Sequence, residues 1–335
     1  MYTLVFFTLI SYVSVLIPPE IFWPAALVSH FIPIFIAING FILVILIIRR
    51  KRKAFIPFLL LLISWPFLTS SVSFHPWEHP PNNAISILSF NTKLFRKPGT
   101  YSEFSTALIQ WVANDTSDIK CLQEFSTNSR WPLLDVTTQI KDKGYYGYTF
   151  QAKVIDSDHN PGMAIFSKFE LVDSGIVFQD TNTLNGAIYA DLNIREKVLR
   201  VYNVHLASMN LELTNTKGLH NNLSKIKRLK SGSIKRSEQI KILIAHTQSS
   251  PYPYIICGDF NETPYSHAYL ELKGQFQNAF EEAGNGFGFT FNEMPYLLRI
   301  DHQFLRSDIQ AVGYHVSRSM NISDHFPTYG YYLMP

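Results

Sequence analysis

Tyr254-Ile255-Ile256-Cys257-Gly258-Asp259-Phe260-Asn261-Glu262-Thr263-Pro264 is the stretch on which the reading of this chain turns. Tyr254 to Cys257 has the length and composition of a buried strand, and it stops at a glycine, which removes the side chain where the backbone must turn or admit another group. Asp259 and Asn261 stand two apart, so extended backbone puts them on one side of the strand end, with Phe260 on the other. A carboxylate can take a proton or hold a cation and a neutral amide can donate to an oxyanion, so the pair suits work at a phosphate. A plain turn after a strand accounts for the same residues, because Gly, Asp and Asn all favour turns. The rest of the chain has to decide.

Outward toward the N-terminus, the 335 residues divide by composition. Residues 1–17, 21–48 and 54–74 are three apolar runs, and crossing a bilayer takes roughly 20 apolar residues, so about three transmembrane helices are predicted, the first at the short limit. The first run lacks the basic start and small-residue cleavage site of a signal peptide. Pro24, Pro33, Pro57 and Pro66 are expected to kink these helices without forbidding them. The cluster Arg49-Arg50-Lys51-Arg52-Lys53 is expected to stay in the cytoplasm, which places everything after the third span outside it. The location implied is a bacterial inner membrane, with residues 1–74 as anchor. Ser70 to Asn83, with Pro76, Pro80 and Pro81, reads as an extended tether, of which 75–83 is the linker proper.

Five positive side chains and one negative, Glu20, give residues 1–74 a net charge of +4, which against the whole-chain +3 leaves −1 for residues 75–335. Net charge therefore does not indicate a strongly basic nucleic-acid-binding face. Cys121 and Cys257 each fall inside a predicted core strand and read as free buried thiols.

From Ala84 to residue 335 strands alternate with amphipathic helices, the pattern of an α/β or α+β layered domain. Strands are predicted for residues 84–90, 118–123, 146–151, 163–167, 171–178, 186–194, 198–206 and 300–305, with an apolar strand at the end; helices are predicted near 101–113, 131–143, 234–246 and 266–272. Residues 209–233, rich in Asn, Lys and Ser, read as a surface insertion. Asn91, Glu124 and Asp259 with Asn261 fall at strand ends, while His205, Asp301 and the pair Asp324-His325 lie within or beside other strands. Strand ends that converge on one face are where α/β proteins commonly build sites.

Taken jointly, Ser-Phe-Asn at 89–91, Leu-Gln-Glu at 122–124, Asn-Val-His at 203–205, Gly-Asp-Phe-Asn at 258–261, Arg-Ile-Asp-His at 299–302 and Ser-Asp-His at 323–325 resemble, in order and spacing, the endonuclease/exonuclease/phosphatase superfamily. Gly-Asn-Gly-Phe-Gly-Phe-Thr-Phe at 284–291 resembles a segment of the same superfamily. The resemblance covers residues 84–335 and leaves the apolar runs outside. It implies a four-layer sandwich of two mixed β-sheets packed face to face with helices outside. It also implies a phosphoric ester hydrolase dependent on a divalent cation, Mg²⁺ with Mn²⁺ as a substitute.

Carried over residue by residue, the resemblance makes Glu124 the main metal ligand, helped by Asn91 and Asp324, a hard-oxygen set of the kind Mg²⁺ prefers. Asp259 would orient or deprotonate water, and Asn261 would hold a phosphate oxygen. His325, oriented by Asp301, would contact the scissile phosphate, and His205 would serve the leaving side. Some nucleases of the superfamily pair the equivalent of His205 with a mid-chain acid; Asp156, Asp158 and His159 are near it in sequence, and no motif selects one. Lys217, Lys225, Lys227, Arg228, Lys230, Lys235, Arg236 and Lys241 form a basic region that is either a solvated surface or a contact for anionic lipid or nucleic acid. The partners expected are the bilayer and a phosphodiester, either a lipid headgroup or another extracytoplasmic ester. A membrane-tethered nuclease acting on DNA or RNA and an inactive binding protein on the same fold are the alternatives.

Overall fold

The computed structural model describes residues 1–100, 103–151, 161–180, 183–208, 219–293, 297–319 and 321–335. Among them, two six-stranded mixed sheets lie face to face. In one, the order is Gln310–Val316, Thr328–Leu333, Ile85–Asn91, Ile119–Phe125, Gly162–Ser167, Tyr146–Gln151. In the other it is Gln277–Asn278, Asp301–Leu305, Tyr254–Asp259, Lys197–His205, Gly186–Ile194, Leu171–Gln179. Each sheet has one parallel pair at its centre, Ile85–Asn91 with Ile119–Phe125 and Lys197–His205 with Tyr254–Asp259, and antiparallel pairs elsewhere. Four strands therefore deliver their C-terminal ends to the same edge of the sandwich.

Ile87, Ile119, Cys121, Ile165, Ile188, Val201, Ile255 and Cys257 fill the space between the sheets. Both cysteines are free. On the outer face of the first sheet, the helices Thr106–Asn114 and Val136–Lys141 bury Leu108, Val112, Val136 and Ile140 against Leu88, Leu122 and Phe166. The outer face of the second is covered by Leu219–Gln248 and His267–Lys273 through Ile240, Leu243 and Leu272. Burying each such side chain stabilises by about 1.5–3 kcal/mol. The layers are thus helix, sheet, sheet, helix.

Several expectations need correcting. Residues 209–233 are not one insertion: from Leu219 the backbone is already helical and runs unbroken to Gln248. Polar, Lys-rich sequence is compatible with helix, and only part of its surface needs to be apolar. The helix expected from residue 101 starts at Thr106, where the Ser105 hydroxyl accepts from Leu108 N at 3.2 Å, and the one expected from 131 starts at Val136, where Asp135 accepts from Thr138 N at 3.2 Å. These capping side chains satisfy otherwise orphaned N–H groups and set the starts. Gln310–Val316 is an edge strand that periodicity alone does not reveal, because a register shift between Ala311 and Gly313 breaks its alternation.

The N-terminal prolines do more than kink. Pro19, Pro24, Pro33 and Pro66 each occupy the first turn of a new helix, where a missing N–H costs nothing. The apolar runs are thereby cut into the helices Tyr2–Ser14, Pro19–Phe22, Pro24–Ser29, Ile32–Ile48, Phe55–Ile63 and Trp65–Ser71. Among the described residues no single helix is long and apolar enough to cross a membrane; Arg52–Ile63 with Trp65–Ser71, bent by 56°, qualifies as a pair by length and composition. Nor is the tether free. Ser73–Phe74 pairs with Asn285–Gly286, His75 N donates to Gly284 O at 3.0 Å, and Trp77 stands edge-on to His315 at 4.9 Å.

Gly258 meets the expectation of close approach. Its φ is +148°, and a Cβ there would lie 1.9 Å from the Val204 carbonyl oxygen of the parallel neighbour. Gly258→Ala is expected to destabilise the fold by roughly 2–5 kcal/mol, from strain and overpacking together. At Gly144, with φ +88° and open space around the missing Cβ, the same change is expected to cost only about 1 kcal/mol. Urea unfolding followed by tryptophan fluorescence measures both; equal losses would contradict this account of Gly258.

Candidate active site

At the shared edge, Asn91, Glu124, His205 and Asp259 arrive on the four central strands. Asp301 begins the antiparallel neighbour of the Asp259 strand and lies opposite Asp259 in register. Asp324 and His325 precede Thr328–Leu333, the antiparallel neighbour of the Asn91 strand. All of the candidate residues from the six motifs therefore reach one region.

Distances link them across the two sheets. Asn91 Nδ2 donates to Asp259 Oδ2 at 3.1 Å and lies 3.3 Å from Glu124 Oε1. His205 Nε2 is 3.7 Å from both Glu124 Oε1 and Asp259 Oδ2. His325 Nδ1 is 2.9 Å from Asp301 Oδ2, and its Nε2 is 3.6 Å from Asp259 Oδ2. Asp259, Asp301 and His325 offer ligand atoms all within 4.8 Å of one another. Asp259 is the hub.

Asn261 does not reach the site on extended backbone. Its φ is +51°, and its N–H closes a turn onto Asp259 Oδ1 at 2.9 Å while Nδ2 donates to Leu206 O at 3.1 Å. The turn reading of Gly-Asp-Phe-Asn is what the structure shows, and the turn brings the Asn261 backbone N–H beside the Asp259 carboxylate. Glu124 also has a left-handed backbone, φ +45°, where its strand loses register between Leu122 and Phe125. Such strain persists only where surrounding structure imposes it.

A family model described as Endonuclease/Exonuclease/phosphatase family matches residues 88–325. The chain belongs to that family. Residues 2–71 match a separate model, Domain of unknown function (DUF8431). No curated relative matches the chain. Among solved structures, an endonuclease/exonuclease/phosphatase from Beutenbergia cavernae superposes with TM-score 0.56 at 14% identity, covering 76% of this chain and 72% of that one. The human Nocturnin catalytic domain with bound sulfate gives TM-score 0.54 at 18% identity over 77% and 100%. A Bacteroides thetaiotaomicron mannosyl-6-phosphatase gives 0.50 at 18% over 75% and 100%. At these identities the likeness concerns the fold, a two-sheet phosphoesterase and nuclease-like architecture.

The electrostatics of this family member's site follow from burial. Asp259, 1% exposed, is pushed above the ordinary carboxylate range by desolvation, with His325 opposing. Glu124 keeps 27% of its side chain exposed, yet the protein around it still desolvates its carboxyl and raises it, with His205 opposing and Asp324 adding. For His325 burial disfavours the charged ring, but Asp301 and Asp259 outweigh it and hold the ring well above its usual range. Asp324 is desolvated too, and His325 and Lys93 still pull it below the usual range.

Four carboxylates thus face one imidazolium and one ammonium, and the excess negative charge lies around Glu124 and Asp259. A divalent cation with hard-oxygen preference fits that donor set. Glu124 and Asp324 offer oxygens directly. Asn91 currently turns its NH₂ to the carboxylates and its Oδ1 to the Lys93 N–H at 3.1 Å, so ligation would require its amide to rotate. In the Asp259–Asp301–His325 group a single imidazolium faces two carboxylates and offsets only part of their charge.

Sequence reasoning missed Lys93, whose Nζ lies 3.0 Å from Asp324 Oδ2. It also missed Thr290, whose Oγ1 accepts from Ile300 N and Asp301 N, both at 3.1 Å, and Ser323, whose Oγ donates to Asn91 O at 2.8 Å. Thr290 lies in the quoted 284–291 segment and Ser323 in Ser-Asp-His; for Lys93 the available signal was its place two residues after Asn91. Asp156, Asp158 and His159 lie outside the described residues; among the described ones, His205 Nδ1 meets Leu184 O at 3.3 Å. In the basic region, Arg236 is buried and bonds Glu262 Oε1 at 2.5 Å and Ala207 O at 2.8 Å, Lys241 pairs with Glu20 at 2.6 Å, and Lys235 pairs with Asp180. These three are structural and do not form a free basic face. Lys217 and the Lys225 side chain lie outside what is described.

Because Asp301 is the strongest influence raising His325, Asp301→Asn is expected to let burial prevail and lower the ring's pKa. In NMR titration the wild-type ring should stay protonated through neutral pH, whereas the variant's should lose its proton at lower pH. An unchanged midpoint would contradict the assigned cause.

Proposed function

We propose that this chain is a membrane-anchored, divalent-metal-dependent phosphoesterase that hydrolyses a phosphodiester by direct attack of water. The observation that carries this is the meeting of Asn91, Glu124, His205, Asp259, Asp301, Asp324 and His325 around a buried excess of negative charge. Glu124, with Asn91 and Asp324, would hold the cation, Mg²⁺ or Mn²⁺. When bound it supplies Lewis-acid polarisation of the phosphoryl oxygen.

The chain's own residues account for the rest. Asp259, desolvated and lacking a full counter-charge, accepts a proton from water more readily than an exposed aspartate. Its Oδ1 is fixed by the Asn261 N–H, which leaves Oδ2 directed toward both histidines. His325, kept charged and oriented by Asp301, presents a donor where negative charge develops on the phosphate. Asn261 spends one amide hydrogen on Leu206 O and retains the other for a phosphate oxygen. His205, anchored at Nδ1, turns Nε2 into the site for the leaving oxygen.

Support for the anchor comes from the N-terminal helices. Phe41, Ile48, Phe55, Phe58, Leu62 and Trp65 are all more than half exposed, and large apolar side chains exposed together in one segment suit a lipid or protein contact. His267 Nδ1 meets Val15 O at 2.8 Å, Glu20 pairs with Lys241, and Ser71 Oγ donates to Tyr265 OH at 2.8 Å, so the ends of the first and third runs both touch the catalytic domain. Arg49–Lys53 lies at the far end of Ile32–Ile48, whose 17 residues rise roughly 25 Å. A basic end in the cytoplasm and a catalytic domain outside agree with that arrangement. The proximity of a bilayer favours a lipid headgroup ester over nucleic acid.

The test is to assay the purified full chain in detergent on bis-p-nitrophenyl phosphate, sphingomyelin, plasmid DNA and a sugar phosphomonoester, with Mg²⁺, Mn²⁺ or EDTA. Metal-dependent diester cleavage is expected, reduced at least roughly 100-fold in Glu124→Gln and in His325→Ala. Cleavage indifferent to EDTA or to both substitutions would overturn the mechanism, and DNA as the preferred substrate would favour the nuclease reading. Alkaline phosphatase fused after residue 335 should be active only if the C-terminus is outside the cytoplasm; an inactive fusion beside an active cytoplasmic reporter would reverse the orientation.

A further inference from the structure

Immediately after Asn91 the backbone makes a left-handed turn: Lys93, Leu94 and Phe95 have φ of 48°, 54° and 57°. None is glycine, and three such residues in succession are costly, on the order of 1–2 kcal/mol each. The turn is held by Asn91 Oδ1, which accepts the Lys93 N–H, and by Thr92, whose N and Oγ1 donate to Gln123 O at 2.9 Å and Glu124 O at 2.8 Å. It places the Lys93 ammonium between two carboxylates, Asp324 Oδ2 at 3.0 Å and Glu293 Oε1 at 2.9 Å. Asp324 is 20% exposed and belongs to the candidate metal set, whereas Glu293 is 57% exposed and stands outside it.

We propose that Lys93 is a displaceable occupant of Asp324: a divalent cation entering at Glu124 and Asp324 drives the ammonium off, and the freed ammonium, still anchored at Glu293, binds a non-bridging phosphate oxygen of the substrate. This rests on the phosphoesterase reading and assigns to it a residue that binding motifs did not identify. The physical basis is charge. An ammonium 3.0 Å from Asp324 Oδ2 competes for that oxygen with any metal ion. Once two positive charges stand beside Asp324, its pairing with Lys93 weakens. Glu293 on the opposite side gives the long, flexible side chain a second partner to pivot about, and an arriving phosphate supplies a new one. Metal and substrate would thereby be coupled, since the phosphate ligand becomes available only after the cation is in place.

The experiment measures Mn²⁺ binding to the full-length protein by electron paramagnetic resonance in the absence of substrate, for wild type, Lys93→Gln, Lys93→Arg and Glu293→Gln. Removing the competing charge should tighten Mn²⁺ binding about tenfold in Lys93→Gln, and Lys93→Arg should restore wild-type affinity. In hydrolysis of bis-p-nitrophenyl phosphate at saturating Mn²⁺, Lys93→Gln should raise KM about tenfold. Glu293→Gln should weaken Mn²⁺ binding, because the ammonium then rests on Asp324 alone. Unchanged Mn²⁺ affinity in Lys93→Gln, in a wild type that binds Mn²⁺ and hydrolyses the diester, overturns this proposal and leaves the phosphoesterase reading standing. A wild type that neither binds Mn²⁺ nor hydrolyses the diester overturns both.

Discussion

Asn91 and Asp259 come from different sheets, 168 positions apart in the chain, and meet at 3.1 Å. That contact requires the two sheets to pack with the C-terminal ends of their central parallel pairs at the same edge. Beneath it runs a buried polar seam: Gln123 Nε2 donates to Asn203 Oδ1 at 2.6 Å, Asn203 Nδ2 donates to Leu122 O and Ala164 O, both at 2.9 Å, and Gln303 Nε2 donates to Thr328 Oγ1 at 3.0 Å. In an otherwise apolar space these bonds have few alternative partners, so they fix the registration of one sheet on the other. A slip by one residue would leave Gln123 and Asn203 unsatisfied, at about 1–3 kcal/mol for each orphaned group.

The site inherits its chemistry from that registration. Bringing Glu124, Asp259, Asp301 and Asp324 together is unfavourable in itself, because desolvated like charges repel. Part of the cost is met within the protein, by His325 between Asp301 and Asp259 and by Lys93 beside Asp324. The remainder leaves Glu124 and Asp259 raised, which suits the cation-holding and proton-accepting roles proposed for them. The left-handed backbone at Glu124, Asn261 and Lys93 belongs to the same balance, since each is strained and is held there by its surroundings, the Asn91 Oδ1 bond to Lys93 N and the Asp259 Oδ1 bond to Asn261 N among them.

Much of this was legible in the residues. The strand ending at Cys257-Gly258, the other expected strands and the six ordered motifs appear at or within a few residues of where they were expected, whereas helix limits were missed by five residues at Thr106 and Val136 and by fifteen at Leu219. What escaped was whatever depends on a partner distant in sequence. Lys93 is an ordinary lysine until Asp324, 231 residues later in the numbering, is placed beside it. Arg236 counts as a surface charge until Glu262 and Ala207 close over it. The edge strand Gln310–Val316 shows no clean period because its register shift lies within it. The N-terminal prolines can be read as kinks or as helix starts, and only their neighbours settle which.

The sequence by itself determined the layered α/β pattern, the family resemblance that implied the sandwich, and the identity of the polar residues, because those depend on local pattern and on ordered spacing along the chain. Tertiary structure decided which of those residues touch, which carry excess charge and which merely support others. The physical reason is that desolvation and Coulomb interactions depend on separations in space, and Asp259 acquires its partners from Asn91, His205, Asp301 and His325 only when the two sheets close. Gly258-Asp259-Phe260-Asn261 shows the division within four residues: the turn is written in the residue types, and its place at the centre of the site comes from the fold.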